Sequence, residues 1–319
     1  MEIAEGIHRI DTPLGARTNA VYLLAGDHVA LFDTAVDGAI AAYVLTYLES
    51  IGRDPEEVRW VVVSHCDVDH FGGLADATAA FPNAVTVAHR ADADQIDDFD
   101  VFLDQRARGF RAEHDVDETA EGLAWLRSVT RPAAVRQRVV GGEQLRLADD
   151  WTVDILHVPG HSQGHLALWD PRSRAAVVSD AVLSDAVRTA DGEAAFPPTY
   201  RHVAPYRTTI GALARLDPAW LLTAHYPTMA GDEGRDFLDC SAQYTDRLED
   251  AVRTALTGRA RSLRDILPEI NPLAGDWPAE GTEGALAFPV VGHLEDLHQR
   301  GEVRRHDTSP STWELIDAR

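Results

Sequence analysis

The stretch Ser64-His65-Cys66-Asp67-Val68-Asp69-His70-Phe71-Gly72-Gly73 packs two imidazoles and two carboxylates into six residues, directly after the apolar run Trp60-Val61-Val62-Val63. The run reads as a short buried strand. A strand end hands its side chains to a loop that the sheet holds in place yet leaves reachable. Four donors this close cannot all face one way on a regular strand. A tight loop can converge them on metal, and imidazole with carboxylate suits zinc, iron or manganese. Cys66 lies among them, but its neighbours already supply ligands, so it reads as a buried thiol rather than a nucleophile.

Working outward, the same placement recurs. His161 follows the strand-like run 152–158 in the turn Pro159-Gly160-His161-Ser162-Gln163-Gly164-His165. Asp180 ends the run 175–179, and His225 follows 220–223. Ahead of the loop, 21–24 and 29–33 flank Gly26-Asp27 as a hairpin. Ile40, Val44, Leu45, Leu48 and Ile51 recur at helical spacing and are closed by Gly52 and Pro55. Further strands are expected at 85–88, 144–147 and 166–169, and helices at 205–216 and 232–257. Residues 90–130 are polar and helical, with Phe99, Phe102, Leu103 and Phe110 interleaved. They read as a helical insertion or lid. From residue 258 a small unit begins, with helices expected at 262–267 and 290–299 and two wing strands at 301–305 and 313–316.

With these segments in this order the chain resembles the metallo-β-lactamase superfamily over about residues 5–257. That family carries a His-x-His-x-Asp-His loop, then a His in a Pro-Gly-His turn, a bridging Asp and a last His. The resemblance implies an α/β fold, a four-layer αββα sandwich over residues 1–257, with a winged-helix-like unit over 258–319. It implies two divalent metal ions: His65, Asp67 and His161 on the first, Asp69, His70 and His225 on the second, Asp180 bridging. Asp69 and Asp180 are the expected catalytic carboxylates, with a hydroxide between the metals as nucleophile. The implied reaction is hydrolysis of a small carbonyl substrate: a lactone, ester, thioester or amide. Asp67 departs from the pattern, standing where the family has His. Three carboxylates against two divalent ions leave about +1 on the site, against about +2 in the common set, which favours harder metals. Zinc is therefore expected first, with iron or manganese raised by Asp67, and a di-iron redox enzyme is the alternative reading. His165 and Asp33 are expected to support the ligands. His89, His114, His157 and His202 are expected to stand apart. Tyr200, Tyr206 or Tyr226 is expected to line the pocket and stabilise an oxyanion.

The remaining composition narrows the partners. The 319 residues carry a net charge of −23, contain no Lys and include only two cysteines, which excludes a disulfide scaffold or a Cys-rich zinc module. Such acidity opposes nucleic acid and anionic membrane. No apolar run reaches the length of a membrane span, and residues 1–13 lack the apolar core of a secretory signal, so the cytoplasm is the expected compartment. The expected partner is a small-molecule substrate, and the tail reads as a packing or homodimerisation element. Residues 262–317 hold four Arg and eleven acidic residues, a net of −7. The tail is accordingly expected not to bind nucleic acid. Salt-sensitive binding of DNA or RNA by residues 258–319 at moderate ionic strength would count against this.

Overall fold

The computed structural model describes residues 1–278 and 282–316. Glu280 and Asp317, two of the acidic residues in the tail's charge count, lie outside them. The first sheet runs in chain order through β1 (Glu2–Ala4), β2 (Ile7–Asp11), β3 (Ala20–Ala25), β4 (Val29–Phe32), β5 (Val58–Val62), β6 (Val85–His89) and β7 (Gln137–Val139). It is antiparallel as far as β4 and parallel from β4 to β7. The second sheet takes β8 (Gln144–Ala148), β9 (Trp151–His157), β10 (Leu166–Asp170) and β11 (Ala175–Val177). A hairpin of β12 (Val187–Arg188) and β13 (Ala194–Phe196) stands apart, and β14 (Trp220–Leu222) and β15 (Met229–Ala230) complete the second sheet in the order β15-β14-β11-β10-β9-β8.

Two-residue periodicity builds the layers. In β3, Tyr22 and Leu24 face a core shared with Trp151, Val153, Leu168 and Leu222 of the other sheet. Val21 and Leu23 face the opposite way, toward Ile40, Val44, Phe71 and Leu74. In β10, Leu166 and Leu168 join the inter-sheet core while Ala167 joins Ile210, Leu213 and Leu238 on the outer side. Both sheets are buried on both faces, giving helix, sheet, sheet, helix: the four-layer α/β sandwich. No helix among the described residues is long and apolar enough to cross a membrane.

The insertion between β6 and β7 is a chain of short helices, Ala93–Asp97, Phe99–Phe102, Arg111–His114 and Ala120–Ser128, with a π-helical turn at Leu103–Ala107. The tail consists of β16 (Arg261–Ser262), helices Leu263–Ala274 and Glu283–Gln299, β17 (Val303–His306) and β18 (Thr312–Leu315). Both helices are longer than their sequence predicts and run through Pro268, Pro272 and Pro289. A proline removes a backbone donor, but burial of Ile266, Ile270, Val290 and Leu294 outweighs that loss. These residues share one core with Leu238, Leu248 and Val252 of helix Asp232–Ala255.

Glu249 ties the tail down electrostatically. Its carboxylate meets Arg207 at 3.0 Å, Arg253 at 2.9 Å and Arg300 at 2.8 Å. Burial alone would raise its pKa, but Arg300, Arg253 and Arg207 pull it down to about 2. A carboxyl depressed on folding adds stability above its ordinary pKa near 4.5 and loses it as pH falls toward the folded value. Glu249→Gln is thus expected to cost about 1–3 kcal/mol at pH 7. Denaturant midpoints of variant and parent should converge as pH falls below about 4.5. A pH-independent difference would show that the loss is one of packing.

Candidate metal centre

The functional side chains leave the C-terminal ends of strands from both sheets. Asp33 follows β4, His65 to His70 follow β5, His161 follows β9, Asp180 follows β11 and His225 follows β14. The ends are stapled together: Leu166 N–H donates to Ser64 O at 2.8 Å, and the Tyr22 hydroxyl donates to Thr223 O at 2.6 Å. The Pro159-Gly160-His161 turn requires its glycine, since Gly160 has φ 147° and a Cβ there would lie 2.5 Å from Tyr206 Cα. Asp92 holds the same turn by accepting from Ser162 Oγ and Gly164 N.

Asp33 organises the rim. It is 1% exposed and accepts from Ser64 N at 2.7 Å, Ser64 Oγ at 2.8 Å, Ser179 Oγ at 2.8 Å and His70 Nδ1 at 3.0 Å. A carboxylate only accepts, so His70 must carry its proton on Nδ1 and turn the Nε2 lone pair inward. Ser64 Oγ, having given its hydrogen to Asp33, accepts from His65 Nδ1 at 2.8 Å. His225 Nδ1 donates to Thr18 O at 2.9 Å. Three imidazoles are thereby locked in the tautomer that presents Nε2.

Those atoms form two sets, in each of which the donor atoms lie within 4.8 Å of one another: His65, His161 and Asp180; and Asp69, His70 and His225. Asp180 also comes within 3.1 Å of His225 Nε2 and 3.5 Å of His70 Nε2, so one carboxylate faces both sets. His65 Nε2, His70 Nε2 and Asp180 Oδ1 are buried without a hydrogen-bond partner. Unpaired buried polar atoms are costly, and a bound cation removes that cost. The potential agrees. Burial opposes a proton on His70, yet Asp180, Asp69 and Asp33 raise its pKa well above the ordinary value. His65 instead falls to about 4 through burial and the neighbouring His70 and His161. The donor set fits divalent metal.

Asp67 is placed differently from the other six expected ligands. Its Oδ2 lies 2.8 Å from His161 Nε2 and 3.5 Å from His65 Nε2, but both its oxygens also accept from Arg106, at 2.7 and 2.9 Å. Arg106 also donates to His161 O at 3.2 Å and stacks on Phe288, 4.5 Å from the ring centre. Burial would raise the Asp67 carboxyl, but Arg106 holds it well below the usual range. The negative charge that the sequence adds at Asp67 is therefore offset by a guanidinium from the π-helical turn of the insertion.

A cavity of about 430 Å³ opens over Asp67, Asp69, Asp180 and His225. Its apolar walls include Phe102, Phe110 and Trp125 of the insertion and Phe196 of β13, and the tail contributes Arg264, Glu283 and Phe288. The tyrosines expected to line it are core residues instead. The Tyr226 hydroxyl donates to Leu183 O and Ala186 O, Tyr206 accepts from Leu183 N, and Tyr200 is 2.8 Å from His293 Nε2. Their hydroxyls, committed to the core, are not turned to the cavity. His165 stacks on His65 and donates to Leu166 O. His89 stacks on His157, and His114 packs near Trp313. His202 borders a separate small cavity beside Cys66, whose thiol faces Gln95.

Residues 14–225 match the model of the metallo-beta-lactamase superfamily. The Bacillus subtilis (strain 168) protein named "Probable metallo-hydrolase YqjP" is 25% identical over 235 residues, 68% of this chain and 70% of that one. An N-acyl homoserine lactonase of Rhizobium johnstonii is 32% identical over 121 residues, covering 37% of this chain and 38% of that one. In structure, a metallo-beta-lactamase family protein from Thermus thermophilus superposes with a TM-score of 0.76 at 21% identity, over 98% of this chain and 99% of that one. A beta-lactamase domain protein from Burkholderia ambifaria gives 0.71 at 19% identity, over 99% and 94%.

The Asp67–Arg106 pair makes a separable prediction. Removing one partner of a buried ion pair strands the other and costs about 3–5 kcal/mol, whereas replacing both is nearly neutral; this pair is partly buried, Arg106 9% and Asp67 24% exposed, so its loss falls below that range. Asp67→Ala should therefore lower the denaturant midpoint, and Asp67→Ala/Arg106→Leu should recover most of the loss. Additive losses in the double variant would show that the two side chains are not coupled.

Proposed function

The chain belongs to the metallo-beta-lactamase superfamily, and on that premise we propose that this metal-dependent hydrolase cleaves a small carbonyl substrate, a lactone, ester, thioester or amide, over two divalent ions. The observation that carries the reading is the donor set: buried imidazoles locked with Nε2 inward, beside an unpaired oxygen of a shared carboxylate. Bound there, two divalent ions would supply Lewis acidity, polarising the carbonyl and lowering the pKa of a water so that it ionises to the nucleophile. His65, His161 and Asp180 would hold the first ion, with Asp67 beside them, and Asp69, His70 and His225 the second, with Asp180 shared. Asp69 and Asp180 border the cavity; we assign Asp69 the proton given up as water attacks, and Asp180 the role of the shared carboxylate. Asp33, Ser64 and Thr18 keep the imidazoles in the required tautomer.

A cavity of about 430 Å³ with aromatic walls suits a small molecule, and the lactonase relative supports a lactone within the carbonyl class. Zinc is the metal we favour. The case for iron or manganese, and with it the di-iron redox alternative, rests on the extra charge of Asp67, which Arg106 balances. The tail serves as a wall of the substrate cavity, through Glu283 and Phe288, rather than as a nucleic-acid binder.

Asp180→Ala is expected to lower turnover of a panel of lactones and esters by at least about 1000-fold, a loss that each metal function makes reasonable. It should also reduce the metal content of the purified protein, because one carboxylate serves both sets. Treatment with a chelator should abolish the same activities, and added zinc should restore them. Full activity and metal content in Asp180→Ala would overturn the shared role.

A further inference from the structure

The cavity holds one guanidinium that the site's own chemistry does not use. Three arginines border it: Arg17, Arg106 and Arg264. Arg106 is consumed by Asp67, and Arg264 meets Asp115 at 3.3 Å. Among the described residues, Arg17 has no carboxylate within salt-bridge distance, in a chain where acidic residues outnumber basic ones by 52 to 29. It is half-buried, and its guanidinium lies 5.3 Å from the centre of the Phe196 ring, another cavity residue. Its backbone is fixed by bridges to Leu14 and to Thr189, beside the β12–β13 hairpin. The next two residues bind the metal centre itself: Thr18 O accepts from His225 Nδ1, and Asn19 Nδ2 donates to Asp69 O at 2.8 Å. Arg17 is thus an unspent cation held in register with the reacting centre. Of the six acids that line the cavity among the described residues, Glu118 accepts from Thr119 N at 2.8 Å and Glu283 stands on the tail side with Arg264, while the other four are committed. Asp67 is paired with Arg106, Asp117 with Arg108, and Asp69 and Asp180 belong to the donor sets.

We propose that Arg17 is a specificity-determining residue that receives an anionic oxygen group, of the carboxylate class, on a substrate whose apolar body lies against the cavity's aromatic walls. This deepens the hydrolase reading and rests on it. A buried or half-buried guanidinium binds a carboxylate by paired, charge-assisted hydrogen bonds, so an acyl compound ending in a carboxylate is preferred over its neutral counterpart. The test compares 4-nitrophenyl hexanoate with the mono-4-nitrophenyl esters of succinic, glutaric, adipic and suberic acids, on the metal-loaded protein and on Arg17→Gln and Arg17→Lys. Arg17→Gln should raise KM for the best anionic ester about 10–100-fold, the scale of one charge-assisted contact. It should leave the neutral ester within about threefold, and Arg17→Lys should recover part of the loss. An arm independent of turnover uses fluorescence titration. Arg17→Gln should weaken 8-anilinonaphthalene-1-sulfonate about 10-fold or more and leave neutral N-phenyl-1-naphthylamine unchanged. Equal effects on charged and neutral probes, or none, overturn the role of Arg17. If no ester is cleaved by the parent protein, the ester reading within the carbonyl class fails while the dye pair still decides whether Arg17 selects anions.

Discussion

The Asp33 carboxylate is the constraint on which the rest of the site depends. It sits where β4 ends, takes both the backbone and the hydroxyl of Ser64 after β5, and takes Ser179 after β11. Two sheets are thus pinned together at the rim from which every candidate metal donor departs. The position carries a backbone cost: Asp33 has φ 66° and Ser179 φ 48°, a left-handed conformation that non-glycine residues adopt at about 1 kcal/mol or more. The four accepted hydrogen bonds outweigh it. Through His70 Nδ1 directly, and through Ser64 to His65, the same carboxylate decides which nitrogen of two imidazoles is turned to the donor sets. Stability and function are here one interaction. A group that could not be left unpaired in the core is also the group that sets ligand chemistry.

Much of this arrangement is legible in the amino-acid sequence. Short strand-like runs, each followed within three residues by a His or Asp, announce strands that lead to the candidate ligands, and β4, β5, β9, β11 and β14 lie where those runs predict. Short edge strands such as β1 and β7 lack a periodic signal, because three residues do not define a period. The tail helices extend past their sequence signals at Pro289 and Pro268, where local propensity argues for a break and tertiary burial overrides it. The tyrosines depart from expectation for a related reason. A hydroxyl suggests a wet site, yet Tyr200 and Tyr206 are fully buried and satisfied within the core, and the cavity is walled by phenylalanines, among them Phe102 and Phe110 of the insertion that the sequence marks as a lid.

Arg106 and Arg17 escape a reading of the sequence for a different reason. Each acts across a long stretch of chain, Arg106 on Asp67 and His161, Arg17 from a loop tied to Asp69 and His225 through its neighbours. In an arginine-rich chain nothing local distinguishes a surface guanidinium from one turned inward. What distinguishes Arg106 is the π-helical turn at Leu103–Ala107, whose extra residue per turn shifts side-chain direction within an otherwise helical stretch.

The placement of Arg106 also explains why the insertion and the tail belong to the site rather than decorating it. Its ion pair with Asp67 is strong only while water is kept away, since the attraction between the charges rises as the local dielectric falls. On one side the exclusion comes from Phe288 of helix Glu283–Gln299, whose ring covers the guanidinium. Phe288 is itself held edge-on by Phe110 of the insertion, at 4.8 Å between ring centres. The tail helix therefore acts on the metal loop at one remove. It keeps Arg106 dry, Arg106 holds Asp67, and Asp67 lies against the Nε2 atoms of His161 and His65. A change confined to the tail's packing would be felt first as a looser Asp67, before any ligand on the far side of the site moved. The sandwich supplies the candidate metal donors, while the two additions wall the cavity beside them and hold Asp67 in place.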